Sequence, residues 1–313
     1  MNSNVASSMP VWLRLGRVSN LPTVLSNAFA AALLGAAASG RALSAAEMAA
    51  LPPLMLSMCL FYIGGMYLND AFDREIDARE RPQRPIPSGE VRAPTVFFFG
   101  FVMLLAGWLL LNQYGNDSSR RYGALLAATI VLYNAWHKHN PCSPLLMGAC
   151  RALLCLCVGS AFADGTPPLL FLAAGLLLAH IVGLSHAAKQ ESLNRIGSLW
   201  PLAVLGLAPL IYTLVALVRL DANGMAETWE VLVLAVLPAA ALIAVLALAV
   251  TQLLRRAVPG AVGEAVSRMI AAVSLLDGLA LAVFLPEPAP GAVLGCMAAY
   301  FATRRLQAYI PGS

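Results

Sequence analysis

The chain has 313 residues, of which 59% are hydrophobic and only 12% charged, with a formal net charge of +4 and a mean hydropathy of +0.75. A soluble domain carries about 25% charged residues, so this composition excludes an ordinary water-soluble fold. The small net charge informs only through its placement, and no nucleic-acid partner is expected. The expected fold class is all-α: a polytopic membrane helical bundle of nine or ten transmembrane helices, forming one integral-membrane domain over residues 1–313.

Taken in chain order, residues 1–20 hold Arg14 and Arg17, but the apolar stretch before them is short and broken by Pro10, unlike a cleaved signal. Apolar runs of about 20 residues, enough to cross a ~30 Å hydrocarbon core, then recur at 21–39, 51–70, 94–113, 121–137, 143–163, 167–187, 199–219, 229–253 and 267–285. A shorter run follows at 290–303. Pro52-Pro53, Gly115-Asn116-Asp117, Pro141, Pro167-Pro168, Asp221–Gly224 and Pro286-Glu287-Pro288 punctuate them, where helices are expected to stop or start. The six cysteines show no metal-binding spacing and read as small packing residues.

The basic residues fix the orientation. With a cytosolic N-terminus, 16 of the 20 Lys and Arg fall on the cytosolic side if ten helices cross, and 14 if nine do. An excess of that kind marks the cytosolic loops. The expected location is therefore the cell's inner or plasma membrane, with the loop after the second helix facing the cytosol.

That loop, Tyr67–Arg92 (YLNDAFDREIDARERPQRPIPSGEVR), is the densest patch of charge in the chain. Asn69, Asp70, Asp73 and Asp77 make N-D-x-x-D-x-x-x-D. On a helix Asp70, Asp73 and Asp77 share one face at i, i+3, i+7. Three carboxylates so placed repel one another and are costly at the end of a membrane helix. They make sense around a hard divalent cation, Mg²⁺ above all, bridging to phosphate oxygens. Arg81 and Arg84, set among Pro82, Pro85 and Pro87, can close on the phosphate with their planar forks. Arg74, Glu75, Arg79 and Glu80 read as a solvated face.

The run NDAFDREIDARERPQRPIPSGEV resembles the UbiA superfamily of membrane prenyltransferases, whose first Asp-rich motif is NDxxDxxxD followed by a basic RPIPSG-like turn. Helix number, the motif's place after helix two and the early Arg14/Arg17…Pro22 stretch extend the resemblance over most of the chain. After helix four, Tyr133 and Lys138 resemble the family's Tyr/Lys pair, and Lys138 and Arg151 are then expected at the cytosolic mouth. The wording HKHNPCSPLLMGACR is also similar to a UbiA-like branch encoded in ebo gene clusters.

The family's second Asp-rich motif belongs after helix six, where this chain reads GLSHAAKQESLNR over 183–195, with no aspartate. Glu191 is the one carboxylate there and the expected metal ligand. Lys189 is expected to act catalytically, with Arg195 supplying further positive charge. His186 is expected at the substrate, a capping or packing role being the alternative. By resemblance, Asp70, Asp73 and Asp77 are the remaining catalytic and metal residues, and Asn69, Arg81, Arg84, Tyr133, Lys138, Arg151 and His186 bind substrate. The implied reaction uses Mg²⁺-bound isoprenyl diphosphate to alkylate an aromatic or other lipophilic acceptor, in contact with the lipid bilayer. A non-catalytic UbiA-like protein that binds or exports a lipophilic or isoprenoid precursor is the alternative. Asp277, the one plausible mid-membrane acid, gives a proton-coupled transporter thin support.

Overall fold

The structure is a computed structural model that describes residues 9–138, 140–189, 200–223, 225–254, 261–285, 287, 289–310 and 312. The side chains of 189, 202, 220–223, 225–232 and 254 fall outside that description. The described residues are helical throughout, joined by short turns. In chain order the helices are α1 (Val11–Leu15), α2 (Leu21–Ala38), α3 (Ala45–Phe72), α4 (Arg74–Glu80), α5 (Ala93–Tyr114) and α6 (Asp117–Trp136). They continue as α7 (Ser143–Ala161), α8 (Pro168–Lys189), α9 (Trp200–Asn223), α10 (Met225–Leu254), α11 (Ala261–Phe284) and α12 (Pro290–Gln307), with a 3₁₀ turn at Val18–Asn20 before α2. Each of the ten expected apolar runs became a helix. By length and apolarity, seven of them can cross a membrane, and Ala203–Arg219 is a shorter apolar stretch.

One expected boundary is corrected. Pro52 and Pro53 lie inside α3, which starts at Ala45. The Ser44 side chain accepts from the Glu47 backbone N–H while the Glu47 carboxylate accepts from the Ser44 N–H, a reciprocal cap that starts the helix two turns early. The prolines leave the carbonyls of Met48 and Ala49 without intrahelical partners. Both of those residues are exposed.

The bundle is built around α2 and α11. Helix α11 is 89% buried across its apolar window and α5 only 28%. Helix α2 packs on α3, α7, α8, α11 and α12, while α5 leans chiefly on α3. Between lipid-bathed helices the drive to associate comes from close packing and interhelical hydrogen bonds, and both are present. A Cβ at Gly35 of α2 would stand 2.1 Å from the Gly159 carbonyl oxygen of α7, and one at Gly64 of α3 would stand 2.8 Å from that of Gly100 in α5. On the buried faces of α2 and α11, Ser26 Oγ donates to Asp277 Oδ2 (2.8 Å) and Asn27 Nδ2 to Asp277 Oδ1 (3.0 Å), with Ser274 Oγ 2.9 Å from Ser26 Oγ.

Candidate functional site

The site lies at one end of the bundle, where α3 leaves the apolar core. The expected single helical face is interrupted at Asp73, which ends α3 and begins α4 with φ −79° and ψ −3°. Because that backbone stays in the helical region, all three carboxylates stay at this end of the bundle, Asp70 and Asp77 sharing Arg84 while Asp73 faces His137 and Lys138. Asp70, Asp73 and Asp77 are 7%, 6% and 3% exposed.

The segment after α4 folds back on them. Ile86 and Val91 pack against Leu15, Tyr67, Ala71 and Val96, and Gly89, at φ +82°, allows the turn that returns the chain. An ion pair between Arg14 and Glu90 ties α1 to this loop. Held so, Arg84 donates to Asp77 Oδ2 at 2.8 Å and to Asp70 Oδ1 at 3.3 Å. Arg81, three residues earlier, is exposed and forms no ion pair among the described residues.

Arg17 arrives from the turn before α2. Its Nη2 donates to Asn69 Oδ1 (3.2 Å) and Asp70 Oδ1 (3.3 Å). Arg17 sits at φ 42° and ψ 48°, in the left-handed region, which costs a non-glycine residue roughly 1 kcal/mol or more. The carboxylate and amide in front of it hold that conformation. Asn69 is oriented from its other side, its Nδ2 donating to Asn134 Oδ1 (3.3 Å) while Asn134 Nδ2 donates to the Gly65 carbonyl (3.0 Å).

The end of α6 supplies the third set of cations. His137 stacks on Tyr133 with ring centroids 4.8 Å apart. Its Nδ1 is 3.2 Å from the Tyr133 carbonyl oxygen and its Nε2 is 3.3 Å from Asp73 Oδ2. Carbonyl and carboxylate oxygens only accept, so each ring nitrogen bonds its partner only when it carries the proton. Lys138 Nζ lies 3.6 Å from the same Asp73 oxygen. Burial pushes the Asp73 carboxyl up, but the His137 hydrogen bond and the charges of His137, Lys138 and Arg84 outweigh it and bring Asp73 below the ordinary carboxylate range.

The other expected residues divide. Arg151 turns into the bundle, donating to the Thr23 carbonyl (3.2 Å) and Thr23 Oγ1 (2.8 Å) and lying 5.9 Å from the centre of the Tyr62 ring. His186 packs edge-on against Trp200, 4.6 Å between centroids. The Lys189 side chain, Glu191 and Arg195 lie outside the described residues. Arg17, His137 and Asn134 contact or support the carboxylates without having been singled out as site residues from the sequence. Their one local signal is the Tyr133–His137 spacing of i, i+4, which puts both rings on one face of α6.

In donor chemistry the three carboxylates suit a hard divalent cation and the side chains around them suit phosphate oxygens, although as paired here no three of the described His, Cys, Asp or Glu residues are placed to hold one ion. Fold and site together define a polytopic α-helical integral membrane protein with an acidic, cation-ringed mouth. The model of the UbiA prenyltransferase family matches residues 26–265, and the chain belongs to that family. A digeranylgeranylglyceryl phosphate synthase from Methanothrix thermoacetophila is 36% identical over 113 residues, covering 36% of this chain and 41% of that protein. A protoheme IX farnesyltransferase from Bartonella quintana is 31% identical over 110 residues, covering 33% and 34%. The chain thus spans about two fifths or less of the length of these relatives.

Two solved structures are similar over nearly the whole bundle. The apo UbiA homologue from Aeropyrum pernix K1 has a TM-score of 0.58 at 18% identity, covering 81% of this chain and 94% of that one. A UbiA homologue from Archaeoglobus fulgidus bound to GPP and Mg²⁺ has a TM-score of 0.55 at 14% identity, covering 96% and 98%. At these identities the likeness is one of fold.

Proposed function

We propose that this protein is a Mg²⁺-dependent membrane prenyltransferase that joins the allylic carbon of an isoprenyl diphosphate to a lipophilic or aromatic acceptor. The observation that carries the reading is that Asp70, Asp73 and Asp77 are all buried at one end of the bundle and paired there with Arg17, Arg84, His137 and Lys138. Mg²⁺ held by the three carboxylates would neutralise charge building on the departing diphosphate. Arg17, Arg84 and Lys138 bind its oxygens, and Asn69 positions Arg17. As the allylic C–O bond breaks, the electron pair leaves with the diphosphate. The acceptor then forms the new bond to carbon and gives up its proton. The apolar bundle holds the isoprenoid tail and keeps water from the cationic carbon, and Tyr133, beside the carboxylates, offers it an aromatic face. Lys189, Glu191, His186, Arg151 and Arg81 complete the proposed substrate set, with Glu191 a further metal ligand.

The test is purified protein with geranyl diphosphate, Mg²⁺ and a panel of phenolic and lipid acceptors, read by mass for alkylated product and by assay for released diphosphate. Release above background with a prenylated product is expected. Saturable binding of the intact diphosphate with no release on any acceptor would favour the carrier reading, which the lack of aspartate over 183–195 otherwise supports.

The proposed orientation puts the loop 74–92 in the cytosol and the N-terminus with it. Ser88 is exposed on that loop. In intact cells a Ser88→Cys variant, made in a background lacking the exposed Cys142, is expected to react with a membrane-permeant maleimide and not with an impermeant one. Labelling by the impermeant reagent would reverse the topology.

A further inference from the structure

We propose that Arg151 selects the acceptor by binding an oxyanion on it, a carboxylate or a phosphate monoester, in a recess beneath the acidic mouth. This rests on the reading above that the bundle receives an acceptor beside the allylic diphosphate. Helix α7 carries Arg151 into the interior of the bundle, where a permanent charge is costly unless an anion meets it. Its side chain holds Thr23 of α2, with Nη1 on the carbonyl and Nη2 on Oγ1, and lies over the Tyr62 ring. Among the described residues no carboxylate forms an ion pair with it. Asp277 acts on it only at longer range, its own oxygens being taken up by Ser26 and Asn27. A guanidinium carries five N–H donors. The two bonds to Thr23 leave Nε and one N–H on each Nη without an acceptor among the described residues.

Arg151 also borders open space. Arg17, Tyr62, Tyr133, Cys150 and Arg151 all lie deep in the protein, yet each keeps part of its surface accessible. They therefore line an internal recess. Neighbours along it are within electrostatic reach: Arg17 with Tyr62 and Tyr133, Tyr133 with Cys150, and Arg151 with Cys150 and Tyr62. Asn20, three residues after Arg17, donates to the Tyr62 hydroxyl at 3.1 Å, and Arg151 lies 5.9 Å from the centre of that ring. One tyrosine thus stands between two arginines with different partners. Arg17 is engaged by Asn69 and Asp70 at the mouth, whereas Arg151 has its fork open. Nε–H and a neighbouring Nη–H match two oxygens of a carboxylate or a phosphate, and the completely buried Thr23 fixes the fork before any ligand arrives. An acceptor whose oxyanion rests there runs past Tyr62 and Tyr133 towards the carboxylates, with its nucleophilic atom at the mouth end. A neutral acceptor leaves the buried charge unmet and is selected against.

Equilibrium dialysis of the detergent-purified protein, without Mg²⁺ or diphosphate, tests this with two matched pairs of probes. These are 4-hydroxyphenylacetate against its neutral amide, and glycerol 3-phosphate against glycerol. At least one anionic probe is expected to bind about thirtyfold or more tightly than its neutral partner, and the pair that shows it tells carboxylate from phosphate. Arg151→Gln is expected to abolish that preference, while Arg84→Gln, at the mouth, leaves it in place. Arg151→Lys keeps the charge and loses the fork, so it should weaken the preference about threefold or more and decides the matter if Arg151→Gln does not fold. No preference for either anion overturns the proposal. So does a preference that Arg84→Gln removes, or one that Arg151→Lys leaves unchanged. Diphosphate release, measured separately on the same preparations, keeps the two readings apart. Release without any anion preference overturns this proposal alone, whereas anion binding through Arg151 without release on any acceptor upholds the site and overturns the prenyltransferase reading.

Discussion

Asp70→Ala is expected to lower Mg²⁺-dependent diphosphate release by at least about a thousandfold, a loss of roughly 4 kcal/mol of transition-state stabilisation. Asp70 is the one carboxylate gripped from both sides, by Arg17 from the N-terminal turn and Arg84 from the returning loop. Removing it takes away a proposed metal ligand and also the anion that holds Arg17 in its left-handed conformation. Arg17 would be left without its carboxylate in a largely buried pocket while Arg84 keeps Asp77, which is more costly than losing one contact. Asp70→Asn keeps the shape and a hydrogen-bond acceptor for Arg17, so it should retain the fold while still losing most of the release. Glu80→Ala, exposed at the end of α4, should change release less than twofold. Release within tenfold of wild type in both Asp70 variants would show that the motif is structural.

The second large effect concerns the frame. Gly35→Ala is expected to cost about 3 kcal/mol or more, since overpacking costs of 1–3 kcal/mol presume side chains that can yield. Here the atom met at 2.1 Å is the backbone oxygen of Gly159. The two helices must separate, and α2 cannot move freely because it also carries Ser26 and Asn27 against Asp277. The matched control is Gly175→Ala on α8, where nothing lies within 4 Å of the added carbon. That change should be neutral or slightly stabilising. Thermal unfolding in detergent, followed by loss of the monodisperse peak, measures both. Equal midpoints for the two variants would mean that α2 and α7 do not pack as described.

Much of this was legible in the sequence because the signals are local. An apolar run of about 20 residues implies a helix whatever surrounds it, and all ten runs became helices. The spacing of Asp70, Asp73 and Asp77 survived the break at Asp73 because that residue keeps a helical backbone. The early start of α3 is hidden in the sequence because Pro52-Pro53 reads as a boundary, whereas the Ser44–Glu47 cap sets the true one. The cation ring was only partly legible. Arg84 belongs to the same segment as its carboxylates, whereas Arg17 reaches partners 52 and 53 residues away, a proximity that no local spacing records. The contacts of Arg151 with the Thr23 carbonyl and hydroxyl and the Tyr62 ring likewise join residues far apart in the chain and leave no local pattern.

The knot of Ser26, Asn27, Ser274 and Asp277 also bears on the order in which the chain can be assembled. Its two halves lie about 250 residues apart in sequence, on α2 and on the much later synthesised α11. Until α11 has entered the bilayer, Asn27 has no carboxylate to meet, and α2 carries polar groups that hydrocarbon cannot satisfy. A newly made Asp277 is likewise a lone acid in lipid until it docks. Neither half gains from the other while synthesis is under way, and both gain at once when α11 docks. The knot therefore acts as a closing clasp, formed late, that distinguishes a finished bundle from a truncated one.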